Sequence, residues 1–283
     1  MKKFIKLIIY VKFPMLGRLY GAIFNKESFH TFSGWGMKTT GTFPPWANII
    51  KDKKNVHQVF IKIDQHLRRK IKDKKFNATE FKNYTSLQQH YERLDYLKWR
   101  SYIAYIATLH AAVHTKSKNK NFVECGVGDG FTAFYTVHTL REKKIKFTCY
   151  LYDAWGGMKK QNVDKKDSGS YVGKWKDLNF EMTKNNFKDF KNIRFIKGVL
   201  PQSLKKVSPK KISYLSIDLN SSTSTTEVLK YFYNKIEKNG IILLDDYGHA
   251  NYIKTKKAVD IFFKNKKSIV FQIPTGQAII IKR

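Results

Sequence analysis

Phe122-Val123-Glu124-Cys125-Gly126-Val127-Gly128-Asp129-Gly130 is the stretch on which the reading of the chain turns. It begins as an apolar run and ends in three glycines at alternate positions. Phe131-Thr132-Ala133-Phe134-Tyr135-Thr136-Val137 follows and reads as a helix. Strand, glycine turn and helix open a ligand-cradling βαβ unit. Glycine suits the turn because the backbone bends sharply there and a ligand can approach without meeting a Cβ. A dinucleotide fingerprint needs G-x-G-x-x-G. Here the third glycine comes one residue early, Phe131 stands where that motif wants glycine, and the pattern is E-x-G-x-G-x-G. The plain alternative is a tight turn that binds nothing.

Downstream, apolar runs alternate with helical patterns. Strands are expected at 121–126, 147–152, 193–197, 213–218 and 240–245, and helices at 131–142, 174–190, 224–238 and 252–265. Such alternation implies a parallel sheet covered on both faces. Ser268–Ile273 and Gln277–Ile281 are separated only by Pro274-Thr275-Gly276, which is too short for a crossover and makes an antiparallel hairpin. The expectation is an α/β, doubly wound Rossmann-like sheet ending in that hairpin, over residues 85–283. A mostly helical extension, residues 1–84, precedes it.

In the extension, residues 1–24 are basic and apolar, but the longest apolar run is Leu7–Val11. That is too short to span a bilayer, which takes roughly 20 apolar residues, and no small-x-small cleavage site follows. The segment suits either a peripheral contact with an anionic membrane face or packing on the domain or a second subunit, as in a homo-oligomer. Residues 33–48 combine glycines with Trp35, Phe43 and Trp46, as a substrate-covering lid or a loop packed on the core would. Val56, Val59, Phe60, Ile63 and Leu67 recur at helical spacing. A long helix follows to about His114, with Thr85 or Ser86 as its cap.

The formal charge of +32 invites a polyanion partner. Lysines far outnumber arginines, however, and are spread along the chain, whereas Arg is the usual phosphate fork. No N-P-P-Y-type motif for base nitrogens and no appended RNA-binding module occurs, so nucleic acid is disfavoured. Cys125 and Cys149, the two cysteines, lack metal spacing and read as free and reduced, which points to the cytoplasm.

Ligands of open α/β sheets sit at the carboxyl ends of the strands. The second strand ends in Asp153, about twenty residues past the glycines, where a carboxylate would accept from two ribose hydroxyls or serve a turn. Trp155 would cover an adenine or fill the core. The fourth strand ends in Ile217-Asp218-Leu219-Asn220 and the fifth in Leu244-Asp245-Asp246-Tyr247-Gly248-His249. If these strands are neighbours, Asp218, Asp245 and Asp246 face one cleft. Such a cluster asks for a cation, and oxygen-only ligands suit Mg²⁺. Asp246 or His249 could otherwise act as a general base.

E-x-G-x-G-x-G resembles the first motif of class I S-adenosylmethionine-dependent methyltransferases. Leu215–Gly248, with its L-D-D-Y-G, and Ile273–Arg283 resemble the second half of TylF/MycF-type (macrocin) O-methyltransferases. That resemblance covers roughly residues 85–283. It implies S-adenosylmethionine, a Mg²⁺ ion and a sugar or other small-molecule hydroxyl as methyl acceptor. It puts Glu124, Gly126, Gly128 and Asp153 at the cofactor, and Asp218, Asp245 and Asp246 at the metal; Gly130 and Trp155 are expected at the cofactor from their places beside those residues. The chain departs from the family's D-S-F-E-G with Asp153-Ala154-Trp155-Gly156-Gly157, and from its D-G-D with Asp218-Leu219-Asn220. Two other readings compete: an RNA methyltransferase, and a non-catalytic basic protein at the inner face of a membrane.

Overall fold

A computed structural model describes residues 57–81, 83–84, 86–164 and 169–283. The apolar segment 1–24 and the aromatic loop 33–48 lie outside the described residues. Two helices lead in, α1 (His57–Lys72) and α2 (Leu87–His114). Then come β1 (Lys120–Cys125), α3 (Phe131–Glu142), β2 (Phe147–Asp153), α4 (Phe180–Asn186), β3 (Ile193–Lys197) and β4 (Ile212–Ile217). The chain closes with α5 (Ser222–Phe232), β5 (Ile236–Leu244), α6 (Ile253–Phe263), β6 (Val270–Gln272) and β7 (Ala278–Ile281).

Among the described residues the strands form one seven-stranded sheet in the order β3-β2-β1-β4-β5-β7-β6. β3 to β5 are parallel, and β7 runs antiparallel to both β5 and β6. The alternation and terminal hairpin expected from the sequence are both present. The strand order reverses between β1 and β4, and ligands of such sheets bind outside the strand ends at that reversal.

Both sheet faces are buried. One cluster joins Phe122, Leu151 and Tyr214 to α1, α2 and α3, while the other joins Val123, Leu215 and Ile242 to α5 and α6. Of the expected stripe, α1 buries Phe60, Ile63 and Leu67 and half-buries Val59, Ile71 extends it, and Val56 lies outside the described residues. Arg68 then bridges Asp64 (2.9 Å) and Asp95 (2.6 Å), and the Tyr135 hydroxyl donates to Asp64 at 2.9 Å. These bonds tie α1 to α2 and α3. Ser86 caps α2 in a reciprocal capping box with Gln89.

Two helices are shorter than the periodicity suggests. The expected helix 174–190 is present only as α4. Gly173 and Trp175 hold left-handed φ values of 82° and 66°, and Asn179 caps α4 through Met182 N. The expected helix 224–238 ends at Phe232 and passes through a 3₁₀ turn into β5, which begins at Ile236.

His138 is buried on α3 between Phe134, His66 and Phe190, with ring centroids 4.0, 4.9 and 5.0 Å away. Burial, then the charges of Arg141, His66 and Lys70, push its pKa down to about 2. The ring is therefore neutral in the fold, while the unfolded chain titrates near pH 6.5. The neutral ring's contribution is complete above that pH and is lost as pH falls through it. The slope is about 1.4 kcal/mol per pH unit for one proton. Wild-type protein should therefore lose more unfolding free energy between pH 6.5 and 5 than His138→Leu, which denaturant titration measures. Equal losses would contradict this account.

Candidate active site

The ends of β1, β2, β4 and β5 surround a cleft of about 510 Å³, within the usual range for ligand sites. Its lining includes Glu124, Gly126, Gly128, Asp153, Asp218 and Asp246. Asp245 and His249 border it as well. Most of the residues singled out in the sequence are thus brought together.

The glycine loop is locked in place. Gly126 has φ 86°, and a Cβ there would lie 1.7 Å from Asp218 O, so β1 and β4 come this close only with glycine. Gly128, φ 54°, is different: an added Cβ would meet only Leu178 Cδ2, at 3.8 Å. Its side-chain space is open cleft. Gly130 ends the loop as the N-cap of α3, against the ring of Phe187.

Glu124 is buried beneath the loop. Burial first, then the neighbouring Asp218, push its carboxyl well above the usual range, and a backbone hydrogen bond with Ala133 works the other way. That bond takes up a first-turn N–H of α3, whose cap glycine has no side chain to do so.

Asp153 fills the turn role and also lines the cleft. Its Oδ2 accepts from Val127 N (2.8 Å) and Gly128 N (2.9 Å), its Oδ1 accepts from Trp155 N (2.7 Å), and Ala154 adds a fourth backbone bond. A carboxylate has about four acceptor sites, and the backbone takes most of them. Burial nonetheless leaves the carboxyl above its usual range, with these bonds opposing. Trp155 fills the core and does not line the cleft. It packs on Phe180 (4.8 Å) and Phe195 (6.2 Å), and its Nε1 donates to Gly128 O at 3.0 Å. Residue and loop are still linked, through support of the loop and not through the cleft wall.

Asp218 and Asp245 leave adjacent parallel strands, since Ile217 pairs with Leu244. One ligand oxygen from each of Asp218, Asp245 and Asp246 can gather within 4.8 Å of the others. The cluster has protein partners too. Arg100 of α2 pairs with the Asp245 carboxylate and donates to Asp245 O at 3.3 Å, while Gln277 Nε2 donates to Asp245 Oδ1 at 2.9 Å. Asn220, φ 50°, donates to Asp218 Oδ1 at 3.4 Å and to Asp246 Oδ2. Burial pushes the Asp246 carboxyl up, and Arg100, Asn220, His249 and Lys174 pull it back. Burial pushes the Lys174 ammonium down, opposed by Asp246 and Asp218.

His249 caps a 3₁₀ turn, with its Nδ1 accepting from Asn251 N at 3.1 Å. That bond engages Nδ1 and so fixes the ring's orientation at the edge of the cleft.

Several lining residues were not foreseen. Arg100 pairs with Asp245, and the Lys174 charge acts on Asp246 and Asp218, both from far away in the chain. Asp129 accepts from Thr79 N (2.6 Å) and Thr79 Oγ1 (3.0 Å), fastening the lead-in segment to the glycine loop. Spacing carries no signal for such long-range pairs.

Reversed strand order, a glycine loop after β1 and an antiparallel end strand define a Rossmann-like methyltransferase fold. Residues 42–275 match the family model described as Macrocin-O-methyltransferase (TylF), and the chain belongs to that family. It is a methyltransferase, and family membership supports S-adenosylmethionine as the methyl donor. The match reaches upstream of residue 85, into the lead-in helices. Among solved structures, the O-methyltransferase NovP is similar in fold at 17% identity, over 65% of this chain and 79% of that one, with TM-score 0.55. CalS11, a calicheamicin methyltransferase, is similar at 13% identity over 78% and 91%, with TM-score 0.52. No curated protein matches the chain. Among the described residues, no helix is long and apolar enough to cross a membrane.

Proposed function

We propose that this chain transfers a methyl group from S-adenosylmethionine to a hydroxyl of a sugar or other small molecule, assisted by Mg²⁺. The observation that carries the reading is that one cleft is bordered both by the glycine loop and by Asp218, Asp245 and Asp246.

The cleft suits the donor because Gly128 keeps a side-chain-sized space empty within a loop held rigid by Asp153 and Trp155. A loop braced in advance lowers the ordering cost of binding. Glu124 lies under that loop as a buried acceptor. Asp246 borders the same cleft, and burial raises its proton affinity toward that of a working base. Arg100 and Asn220 hold the acids in place. Much of the rate in such a transfer comes from holding donor and acceptor in line.

The acids suit Mg²⁺ because all three offer carboxylate oxygens, the donors a hard dication takes. When bound, the ion would be held by Asp218, Asp245 and Asp246 and would lower the pKa of an acceptor hydroxyl.

The test is transfer of labelled methyl from S-adenosylmethionine to a panel of free and nucleotide-linked sugars, with and without chelator. The expected result is O-methylation that falls at least tenfold with chelator and returns with Mg²⁺. Chelator-resistant turnover would remove the metal and leave Asp246 as the direct base. Transfer to RNA with none to sugars would overturn the acceptor class.

A further inference from the structure

We propose that the indole of Trp175 is the platform on which the acceptor's sugar ring lies, making it the residue that selects the acceptor. This rests on the sugar O-methyltransferase reading above. Trp175 belongs to the turns between β2 and α4, where a helix was expected. Gly173 N donates to Met158 O at 3.0 Å and Met158 N to Lys174 O at 2.8 Å, so the turn is fastened to the segment that follows β2. The Lys174 ammonium lies 5.1 Å from the Trp175 ring, 5.6 Å from Tyr252 and 5.9 Å from Tyr171. Its Nζ donates to Tyr252 Oη at 2.8 Å.

Trp175 itself is held in an unfavourable conformation. Its φ is 66°, and its Nε1 donates at 3.0 Å to Oδ1 of Asn220, whose φ is 50°. Left-handed backbone at a residue other than glycine is strained and persists where surrounding contacts over-determine it. Here two such residues are joined by one hydrogen bond. The ring so fixed is 41% exposed and lines the same cleft as Gly128 and Asp246. A large aromatic surface left open at a cleft gains by being covered.

The position also gives the stacking a purpose. Asn220 accepts from the indole and donates to both Asp218 and Asp246. The ring is thus registered against the acids by one amide. A pyranose lying on it would have one edge, and so one hydroxyl, turned toward them. Tyr171, 60% exposed and beside the same ammonium, extends the apolar surface.

Saturation-transfer NMR tests this with three probes: methyl α-L-rhamnopyranoside, methyl α-D-glucopyranoside and methyl α-D-galactopyranoside. Each is added to protein saturated with S-adenosylhomocysteine. The expected result is transfer to ring C–H protons of at least one probe, reduced at least fivefold in Trp175→Ala and largely kept in Trp175→Phe. S-Adenosylhomocysteine affinity, read by calorimetry, should stay within about threefold in both variants. Equal transfer in Trp175→Ala, or none to any probe in the wild type with S-adenosylhomocysteine bound, would overturn the platform and leave the methyltransferase standing. Loss of transfer in Trp175→Phe as well as Trp175→Ala would also overturn it, since the ring survives in Phe. A wild-type protein that does not bind S-adenosylhomocysteine would sink the underlying reading instead, and the platform with it.

Discussion

Gly128→Val is expected to weaken S-adenosylhomocysteine binding at least 100-fold while leaving the protein folded. The reason is the difference between two glycines of one loop. At Gly128 an added Cβ meets only Leu178 Cδ2, at 3.8 Å, so the valine projects into the cleft. Its left-handed backbone costs about 1–2 kcal/mol for a residue with a Cβ, a fraction of the roughly 5–15 kcal/mol that holds a domain together. A 100-fold loss of affinity corresponds to about 2.7 kcal/mol, a modest amount for a side chain placed where the ligand belongs. Gly126→Ala should behave in the opposite way. Its Cβ would sit 1.7 Å from the backbone oxygen of Asp218, just past β4, so the strand ends must separate and stability falls first. Calorimetry and thermal melting together separate these outcomes. Full affinity in Gly128→Val would mean the donor lies elsewhere.

Asp246→Asn is expected to lower turnover by about 10²- to 10⁴-fold, the usual contribution of a positioned base. S-Adenosylhomocysteine affinity should change little, because the glycine loop is built without Asp246. Asparagine keeps the shape and can still accept from Asn220, so a loss would report the charge and basicity of the carboxylate. The pH profile adds a sign. Burial raises the Asp246 carboxyl above its usual range, and the working form is ionised. Activity should therefore rise with pH through that raised pKa, and this limb should vanish in Asp246→Asn. Turnover within threefold of wild type would remove Asp246 from the chemistry.

Much of this site could be read in the chain because it lies at strand ends. Apolar runs mark where β1, β4 and β5 stop, and sheet topology brings Gly126, Asp218 and Asp245 side by side. The terminal hairpin was legible from the short Pro274-Thr275-Gly276 link. Side-chain employment was less legible. Asp153 and Trp155 sit where a cofactor contact would be sought, yet both also hold the loop, and no periodicity shows that second use. Arg100 reaches Asp245 across 145 residues of sequence, which no local pattern can show. The helix expected from 174 fails because Trp175 adopts a left-handed φ that only the fold, through Asn220, stabilises.

The cleft at the head of the sheet is expected to take the methyl donor, and calorimetric titration of the wild-type protein with S-adenosylhomocysteine decides it. One saturable site per chain, competed by S-adenosylmethionine, is the predicted result. No heat of binding, or a heat unchanged in Gly128→Val, would contradict it.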